Sequence, residues 1–337
     1  MSAPLHDPLP GWSADLLSSL PPGTRPGRLA RVDRSAYDVL TEEGTRRLPA
    51  DPPGLTVGDW LAVTDDGVAA VLPRRTLLSR GSASGESTSQ PLAANVDVVL
   101  VCVGLSSPVP VRRVERLLTL AWQSGAVPVV VLTKADLCDD VDAVLRRLAP
   151  HTPGVEVAVV SAETGDLAAL ARHTRPGTTL ALLGASGAGK STLLNALAGG
   201  TLMATGDVRD VDGKGRHTTS HRQLFVLPSG AVVVDTPGLR GVALTADGDL
   251  SQSFSDVEEL AAACRFADCA HATEPGCALL ASIAAGDLAQ ARVDSWRHLQ
   301  RELAFQARRS DVRLRAEQAK VWKTRAKEQR SRGRLER

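Results

Sequence analysis

The stretch Gly184-Ala-Ser-Gly-Ala-Gly-Lys190-Ser191 decides the fold of this 337-residue chain. It follows the apolar run Leu180–Leu183 and precedes a run of helix-forming residues that starts at Thr192. Glycines between a strand and a helix let backbone N–H groups turn towards phosphate oxygens, while the lysine adds a positive charge and the serine a hydroxyl for magnesium. We therefore predict a phosphate-binding loop, which comprises Gly184, Ala185, Ser186, Gly187, Ala188, Gly189, Lys190, Ser191 and Thr192.

Two further motifs precede this loop and predict that the bound base is guanine. Thr133-Lys134-Ala135-Asp136 follows an apolar run, and Ser161-Ala162 follows the next one. The Asp136 carboxylate can accept from the ring N–H and the exocyclic amine of guanine, which adenine cannot offer, and the Ala162 N–H would face the guanine carbonyl oxygen. Thr133 replaces the more usual Asn, so the loop-bracing or base contact of that position is left open.

Asp235-Thr-Pro-Gly238 closes the apolar run Ala231–Val234 downstream of the phosphate loop. A carboxylate at this strand end reaches magnesium through water, and the Gly238 N–H senses the γ-phosphate. Leu239 stands where many GTPases carry a water-orienting Gln, so slow intrinsic hydrolysis is expected.

The basic, glycine-rich segment Gly213–His221 is expected to form the first switch. Thr218 or Thr219 would complete the magnesium shell together with Ser191 and Asp235. His217 and His221 are candidates for positioning the attacking water, and exposed or RNA-facing imidazoles are the alternative. The predicted catalytic set is Lys190, Ser191, Thr219, Asp235, Gly238 and His217.

The order of these motifs is itself informative. An ordinary small GTPase has the phosphate loop first and the base-reading motif near its end, whereas this chain has the reverse order. Strand-like apolar runs alternate with helical patterns from Asn95 to about Leu244, which indicates an α/β fold with a parallel sheet. We therefore predict a circularly permuted P-loop GTPase domain.

The five cysteines point to a metal site more than to disulfides. Three of them lie beside a histidine in the pattern Cys264-x4-Cys269-x-His271-x5-Cys277. Three thiolates and one imidazole make a closed tetrahedral zinc shell, which is typical of a structural site. Cys102 and Cys138 are interpreted as small core or loop residues.

Composition shifts divide the chain into six predicted segments. Short apolar stretches with turn residues between them predict an N-terminal OB-like β-barrel. The segments are a disordered leader (1–26), the barrel (27–78), a flexible linker (79–92), the GTPase domain (93–245), a helical zinc-binding domain (246–303) and a basic helical or disordered tail (304–337).

The charge of the chain is small overall and unevenly distributed. The formal net charge is +1, but 15 Lys and Arg stand against 6 Asp and Glu from Arg292 to the end. Such a block is typical of a solvated tail or a phosphate-binding arm. With 10 aromatic residues in all, stacking platforms for bases are few, which favours reading of RNA shape and phosphates. No apolar run is long enough to span a membrane and no signal segment is present, so a cytoplasmic protein is expected.

Together, these features resemble the ribosome small subunit-dependent GTPase A family. The resemblance covers roughly Arg28 to Leu303, including Gln90-Pro-Leu-Ala-Ala-Asn-Val-Asp97, Lys214-Gly-Arg-His-Thr-Thr219 and the cysteine segment Cys264–Cys277. It implies a monomer with a barrel, a permuted GTPase domain and a zinc domain, which acts on the small (30S) ribosomal subunit and its rRNA without DNA or membrane. It also implies late subunit maturation, with GTP hydrolysis stimulated by the subunit.

Other functions remain open at this point. The chain could be an RNA-binding assembly factor for which GTP is a structural ligand, or a permuted GTPase that serves the large subunit. An ATPase is distinguished by Asp136, since Asp136→Asn should shift base preference towards xanthine if this residue reads guanine.

Overall fold

The structure is a computed structural model that describes residues 9, 11–12, 16, 18–33, 35–80, 90–202, 222–235, 244 and 249–310. The predicted switch residues His217, Thr218, Thr219 and His221 lie outside these ranges, as do Gly238 and Leu239. The tail beyond residue 310 does so as well.

An antiparallel β-unit forms the N-terminal part of the protein. Strand β1 pairs with both β2 and β4, β2 pairs with β3, and β4 pairs with β5. The alternation of buried and exposed residues in β2 buries Tyr37 and Val39 against Leu29 and Leu61. The strands are β1 (Arg25–Val32), β2 (Ala36–Thr41), β3 (Gly44–Pro49), β4 (Trp60–Val63) and β5 (Val68–Val71). This unit is compatible with the predicted OB-like barrel.

Part of the predicted disordered leader packs on this unit. Leu9 and Leu16 are buried in a cluster around Trp60, and the Trp12 ring meets the Trp60 ring edge-on, with 4.9 Å between centroids. The prediction for residues 1–26 is therefore wrong at these positions. Prolines indicated disorder, but the apolar side chains between them bury surface against the fully buried Trp60.

The range predicted as a linker also contains paired strand residues. Strand β6 (Leu77–Arg80) pairs with β7 (Gln90–Ala94) in a separate antiparallel ladder. Residues 79–80 and 90–92 are thus part of a sheet, while residues 81–89 lie outside the described ranges. The Ser- and Gly-rich composition concealed these strands, because pairing depends on a partner strand ten residues away.

A six-stranded segment of the main sheet forms the predicted GTPase domain. Its strand order is β10-β9-β8-β11-β13-β12, and the first five strands run parallel. The strands are β8 (Val98–Gly104), β9 (Val127–Thr133), β10 (Glu156–Val159), β11 (Thr179–Gly184), β12 (Gln223–Val226) and β13 (Val232–Asp235). Strand β12 is antiparallel to β13, contrary to the expectation of a parallel sheet throughout. The short connection between them permits a hairpin and not a crossover.

Helices cover both faces of this sheet. Leu193 and Leu194 of α3 pack on one face, and Val114, Leu118 and Ala121 of α1 pack on the other. The helices here are α1 (Val111–Gln123), α2 (Val141–Leu148) and α3 (Lys190–Ala198). Short 3-10 helices lie at Ala135–Leu137, Ala149–His151 and Ala168–Leu170.

The N-terminal unit and the GTPase sheet are continuous. Strand β1 pairs with β12 at Arg31 and Gln223. Beside this pair, the buried Arg28 donates to the Thr179 hydroxyl at 2.6 Å and lies over the Trp60 ring. Burial lowers the pKa of Arg28 to about 10, with the Asp97 charge opposing the shift. The contacts place a buried cation between the two predicted domains.

Three helices make up the described C-terminal part, namely α4 (Ser255–Ala262), α5 (Ala278–Ala285) and α6 (Gln290–Ser310). Val293, Trp296 and Leu299 of α6 are buried in the same core as helix α1. The narrow apolar stripe of α6 faces α1 and α4. Among the described residues, no helix is long and apolar enough to cross a membrane.

Candidate functional site

The predicted nucleotide residues lie together at one edge of the sheet. The Thr133 motif follows β9, Ser161 follows β10, the phosphate loop follows β11, and Asp235 ends β13. Because these strands are parallel, their carboxyl ends meet at the same edge. Strands β9 and β10 lie on one side of β8, whereas β11 and β13 lie on the other. The strand order therefore reverses between β8 and β11, and open α/β sheets bind ligands at such a point.

The phosphate loop is held tightly against β8. A Cβ atom at Gly184 would lie 2.5 Å from the Cys102 carbonyl oxygen, so only glycine fits there. Gly189 has a φ of +78° and immediately precedes helix α3, which begins at Lys190. The free N–H groups at the start of α3, with Ser191 in its first turn, therefore point to the loop, a geometry suited to phosphate.

Lys190 is fixed across the loop by its own neighbours. Its Nζ donates to the Gly184 carbonyl oxygen at 3.0 Å and to the Ala185 carbonyl oxygen at 2.8 Å. An ammonium group has three donors, so one N–H remains for a phosphate oxygen. Burial lowers the pKa of Lys190 and raises that of Asp235, and the charge of each opposes the shift of the other. The loop thus places a cation and a carboxylate in a shared, poorly solvated region.

Thr133 connects the base-reading loop to the phosphate loop. Its buried hydroxyl donates to the Ala188 carbonyl oxygen at 2.8 Å, 55 positions along the chain. A Cβ atom at Gly189 would lie 3.1 Å from the same hydroxyl. Thr133, which stands in place of the more usual Asn, therefore makes the loop-bracing contact of this position.

Asp136 and Ser161 are joined by a hydrogen bond. The Ser161 hydroxyl donates to Asp136 Oδ1 at 2.5 Å, and the Thr164 N–H donates to the Ser161 oxygen at 3.2 Å. Lys134 has a left-handed backbone with a φ of +58°, and its methylene groups lie near Gly104 and Gly189. The exposed Asp136 carboxylate is thus oriented by a side chain that the adjacent strand supplies.

A cavity of about 490 Å³ lies beside the phosphate loop. It is lined by residues 185–188 of the loop, by the connection between β8 and α1, and by Lys134 and Arg113. Cys102 also lines it, and burial raises the pKa of this thiol to about 12. The thiol is therefore neutral near pH 7, in keeping with the predicted core role of Cys102.

The predicted zinc ligands converge in the C-terminal part. The ligand atoms of Cys264, Cys269, His271 and Cys277 all lie within 4.8 Å of one another. The Cys264 and Cys277 sulfurs are 3.8 Å apart, and His271 Nδ1 is 3.4 Å and 3.6 Å from them. Tetrahedral zinc with bonds of about 2.3 Å to sulfur and 2.0 Å to nitrogen requires separations of about 3.5–3.8 Å. The ligand atoms of Cys264, His271 and Cys277 match these separations, and that of Cys269 lies within 4.8 Å of them, so the cluster is compatible with a zinc ion.

Backbone contacts stabilise the loop that carries these ligands. The Glu274 carboxylate accepts from the N–H groups of Ala270, Ala272 and Thr273. Its own N–H and those of Thr273 and Ala272 lower the pKa of Glu274 to about 2. The Arg297 guanidinium of α6 donates to the His271 carbonyl oxygen. Sequence analysis did not identify these two residues, although Glu274 lies within the quoted cysteine segment.

A buried ionic network, also absent from the sequence predictions, joins the C-terminal part to helix α1. Arg292 and Glu115 are each 1% exposed and are paired at 3.0 Å. Arg292 also binds Asp256 and the Ser253 carbonyl oxygen, and Glu115 Oε1 contacts His151 Nδ1 at 2.8 Å. In the sequence, Arg292 was the first member of a basic run and no local signal distinguished it.

Glu302 makes a second connection at this junction. One carboxylate oxygen accepts from Arg116 of α1 at 2.7 Å and from the Leu244 N–H at 3.1 Å. Leu244 is fully buried and lies nine residues after Asp235. Helix α6 is therefore bonded both to helix α1 and to the end of the segment that follows the predicted magnesium carboxylate.

Comparison with known proteins gives one consistent result. The model of the RsgA GTPase family matches residues 71–245. A small ribosomal subunit biogenesis GTPase RsgA of Streptomyces avermitilis is 47% identical, covering 94% of this chain and 91% of the relative. A protein named small ribosomal subunit biogenesis GTPase RsgA 2 from Lactiplantibacillus plantarum is 41% identical over 88% of this chain and 87% of its own length.

Solved structures agree with this result. YjeQ from Thermotoga maritima aligns with a TM-score of 0.61 at 26% identity, covering 83% of this chain and 99% of its own. YloQ, a circularly permuted GTPase, aligns with a TM-score of 0.59 at 24% identity, over 83% of this chain and 95% of its own, which supports the fold. The predicted α/β fold with permuted motif order is confirmed, and the chain belongs to the RsgA GTPase family, whose members are GTP-hydrolysing enzymes.

Proposed function

We propose that this protein is a GTPase of late small (30S) ribosomal subunit maturation, which the subunit stimulates and which leaves the subunit on hydrolysis. The hydrogen bond from Thr133 to the Ala188 carbonyl oxygen is the observation that supports the nucleotide-binding part of this proposal most directly, because it joins the predicted base-reading loop to the phosphate loop. The names of the relatives support the choice of the small subunit as partner.

The proposed nucleotide contacts follow from the site geometry. The Asp136 carboxylate, held by Ser161, accepts from guanine, and the Ala162 N–H faces the guanine carbonyl oxygen. The backbone of residues 184–189 surrounds the phosphates, and the remaining N–H of Lys190 reaches the β- and γ-phosphates. Ser191 and Asp235 hold Mg²⁺, which would neutralise charge on the phosphate oxygens. Thr133 and Thr192 complete the pocket.

The switch residues keep their predicted roles within this proposal. Thr219 completes the magnesium shell, Gly238 senses the γ-phosphate and His217 orients water, although all three lie outside the described ranges. Cys264, Cys269, His271 and Cys277 hold a structural zinc ion, because four protein ligands leave no position for a reacting water. The protein would act as a monomer in the cytoplasm, on the subunit and its rRNA.

GTP hydrolysis measured with and without purified small subunits tests the proposal. We expect slow turnover of the protein alone, strong stimulation by small subunits, and neither stimulation by large subunits nor hydrolysis of ATP. Stimulation by large subunits would replace the proposed partner. Slow turnover that no subunit changes, with GTP-dependent RNA binding retained, would favour an RNA-binding factor that uses GTP as a structural ligand.

Base specificity has its own test. Asp136→Asn should weaken GTP binding and shift preference towards XTP, since the amide donates where guanine also donates. Asp139→Asn, an exposed neighbour outside the motif, is the matched control and should bind GTP as the wild type does. Unchanged GTP affinity in Asp136→Asn would exclude Asp136 as the base reader.

A further inference from the structure

A basic groove lies between the zinc-ligand loop and the GTPase domain. Its volume is about 590 Å³, and both parts of the molecule contribute to it. Helix α1 supplies Arg112, the zinc-ligand loop supplies Ala270, and helix α6 supplies the rest. The lining residues from α6 are Asp294, Arg297, His298, Gln300 and Arg301.

The arginines of this groove have donors available for a ligand. Arg112 is exposed and, among the described residues, takes part in no ion pair. Arg301 uses its Nε to bind the Arg297 carbonyl oxygen, and Arg297 uses one terminal nitrogen to bind the His271 carbonyl oxygen. A guanidinium group carries five N–H donors. The contacts therefore orient Arg297 and Arg301 and leave most of their donors for another partner.

The charge of the groove selects an anion. The lining of the groove contains three guanidinium groups and one carboxylate, that of Asp294. Asp294 Oδ1 already accepts a hydrogen bond from Gln290 at 2.9 Å. Planar guanidinium groups match phosphate oxygens in a bidentate manner. The groove also lies on helix α6, where the basic excess of the chain begins, so the positive field extends along the helix. An extended polyanion fits this field better than a single small anion.

We propose that this groove, defined by Arg112, Arg297 and Arg301, binds the sugar-phosphate backbone of the small-subunit rRNA. The proposal rests on the proposed function and adds a specific contact surface to it. The groove spans two parts of the molecule, so a bound RNA strand bridges the zinc-ligand loop and helix α1. The start of α1 also borders the cavity beside the phosphate loop, through Pro110 and Arg113. RNA binding and the nucleotide site thus share one helix.

The test uses the double variant Arg112→Gln/Arg301→Gln and compares it with wild type. Binding to purified small subunits and to protein-free small-subunit rRNA is measured over a range of salt concentrations. Each lost phosphate contact lowers the slope of log affinity against log salt by about 0.9. We expect the slope to fall by about 2 and the affinity near 0.1 M salt to fall about 10- to 100-fold. Arg146→Gln/Arg147→Gln, exposed on α2, makes the same charge change elsewhere and should bind as wild type.

The outcomes separate this proposal from the proposed function. Equal affinity and slope for the groove variant and wild type would overturn the groove and leave subunit-stimulated hydrolysis intact. Weakened binding to subunits with unchanged binding to protein-free rRNA would overturn RNA as the occupant in favour of a ribosomal protein. Weakened binding to both, in a preparation whose hydrolysis no subunit stimulates, would support the groove and reject the proposed function. Thermal unfolding and zinc content of the variant exclude loss of the fold.

Discussion

The phosphate loop holds the half-buried cation Lys190 and the junction between helices α1 and α6 holds the buried cation Arg292, but the two are held in different ways. Lys190 bonds to backbone carbonyl groups five and six residues before it in the chain. Arg292 bonds to Glu115, 177 positions away, and to Asp256, 36 positions away. The first site needs only a local backbone shape, whereas the second exists only when three helices have packed.

The two regions are nevertheless connected. Glu302 binds Arg116 of α1 and the N–H of Leu244, which ends the segment that begins after Asp235. The junction therefore holds Leu244, nine residues after Asp235, beside helices α1 and α6. Variants that damage one region and spare the other should reveal how strongly the two depend on each other.

Removal of zinc should have the largest effect on stability. It should destabilise the C-terminal helices at the junction and leave nucleotide binding unchanged. Because metal binding and local folding are coupled, loss of a structural zinc costs on the order of 10 kcal/mol of local stability. Cys269→Ser should lose zinc and the Arg297 contact to the His271 carbonyl oxygen, with faster amide exchange in α6 and retained GDP binding. Cys138→Ser, a cysteine outside the cluster, is the control for thiol loss. Retention of stoichiometric zinc by Cys269→Ser would reject the ligand set.

Arg292→Met should destabilise the junction by about 3–5 kcal/mol, because it removes the charged partner of the buried Glu115 and leaves only the His151 ring beside that carboxylate. Chemical denaturation measures this loss. The double variant Arg292→Met/Glu115→Leu removes both charges and should recover much of the stability. If the double variant loses the sum of the two single effects, the pair is not coupled and the buried network does not hold the junction.

Lys190→Ala should leave the fold intact and lower GTP hydrolysis about 10²- to 10³-fold, as expected for loss of one group that stabilises developing charge. Burial lowers the pKa of Lys190, which means that the surroundings disfavour the charged form of this side chain. Phosphate release at saturating GTP and thermal unfolding are the measurements, with Arg147→Ala as the exposed control. Hydrolysis within threefold of wild type would exclude a role in the reaction.

Thr133→Val should have the smallest effect, since it deletes one hydroxyl and leaves the Ala188 carbonyl oxygen unsatisfied at a cost of about 1–3 kcal/mol. Weaker nucleotide binding, by about 5-fold or more, is expected if the brace orders both loops. Titration calorimetry with GDP gives the affinity, and Thr133→Ser, which keeps the hydroxyl, should resemble wild type. Equal affinities for the valine and serine variants would show that the two loops do not need this bond.

The same difference between local contacts and contacts distant in sequence explains which elements could be predicted from the sequence. The alternation of strands and helices in the GTPase region could be predicted, because the apolar runs of its strands are buried on both faces of the sheet. Part of the β6–β7 hairpin fell within the predicted linker, because its residues form strands only by pairing with each other. The leader was assigned to disorder although Leu9 and Leu16 pack on Trp60, a contact that no local pattern encodes.

The permuted motif order can be read from the sequence alone, which also predicts the phosphate loop, the base-reading residues and the four zinc ligands. These depend on residue types at short, fixed spacings, where the local backbone provides most of the geometry. The tertiary structure was needed to show the bond from Thr133 to Ala188 and the burial of Arg292 against Glu115. It was also needed to show that Arg112, Arg297 and Arg301 line one groove. Those contacts link residues 55 to 189 positions apart, and their free energy comes from packing and desolvation, which exist only after the helices and strands have assembled.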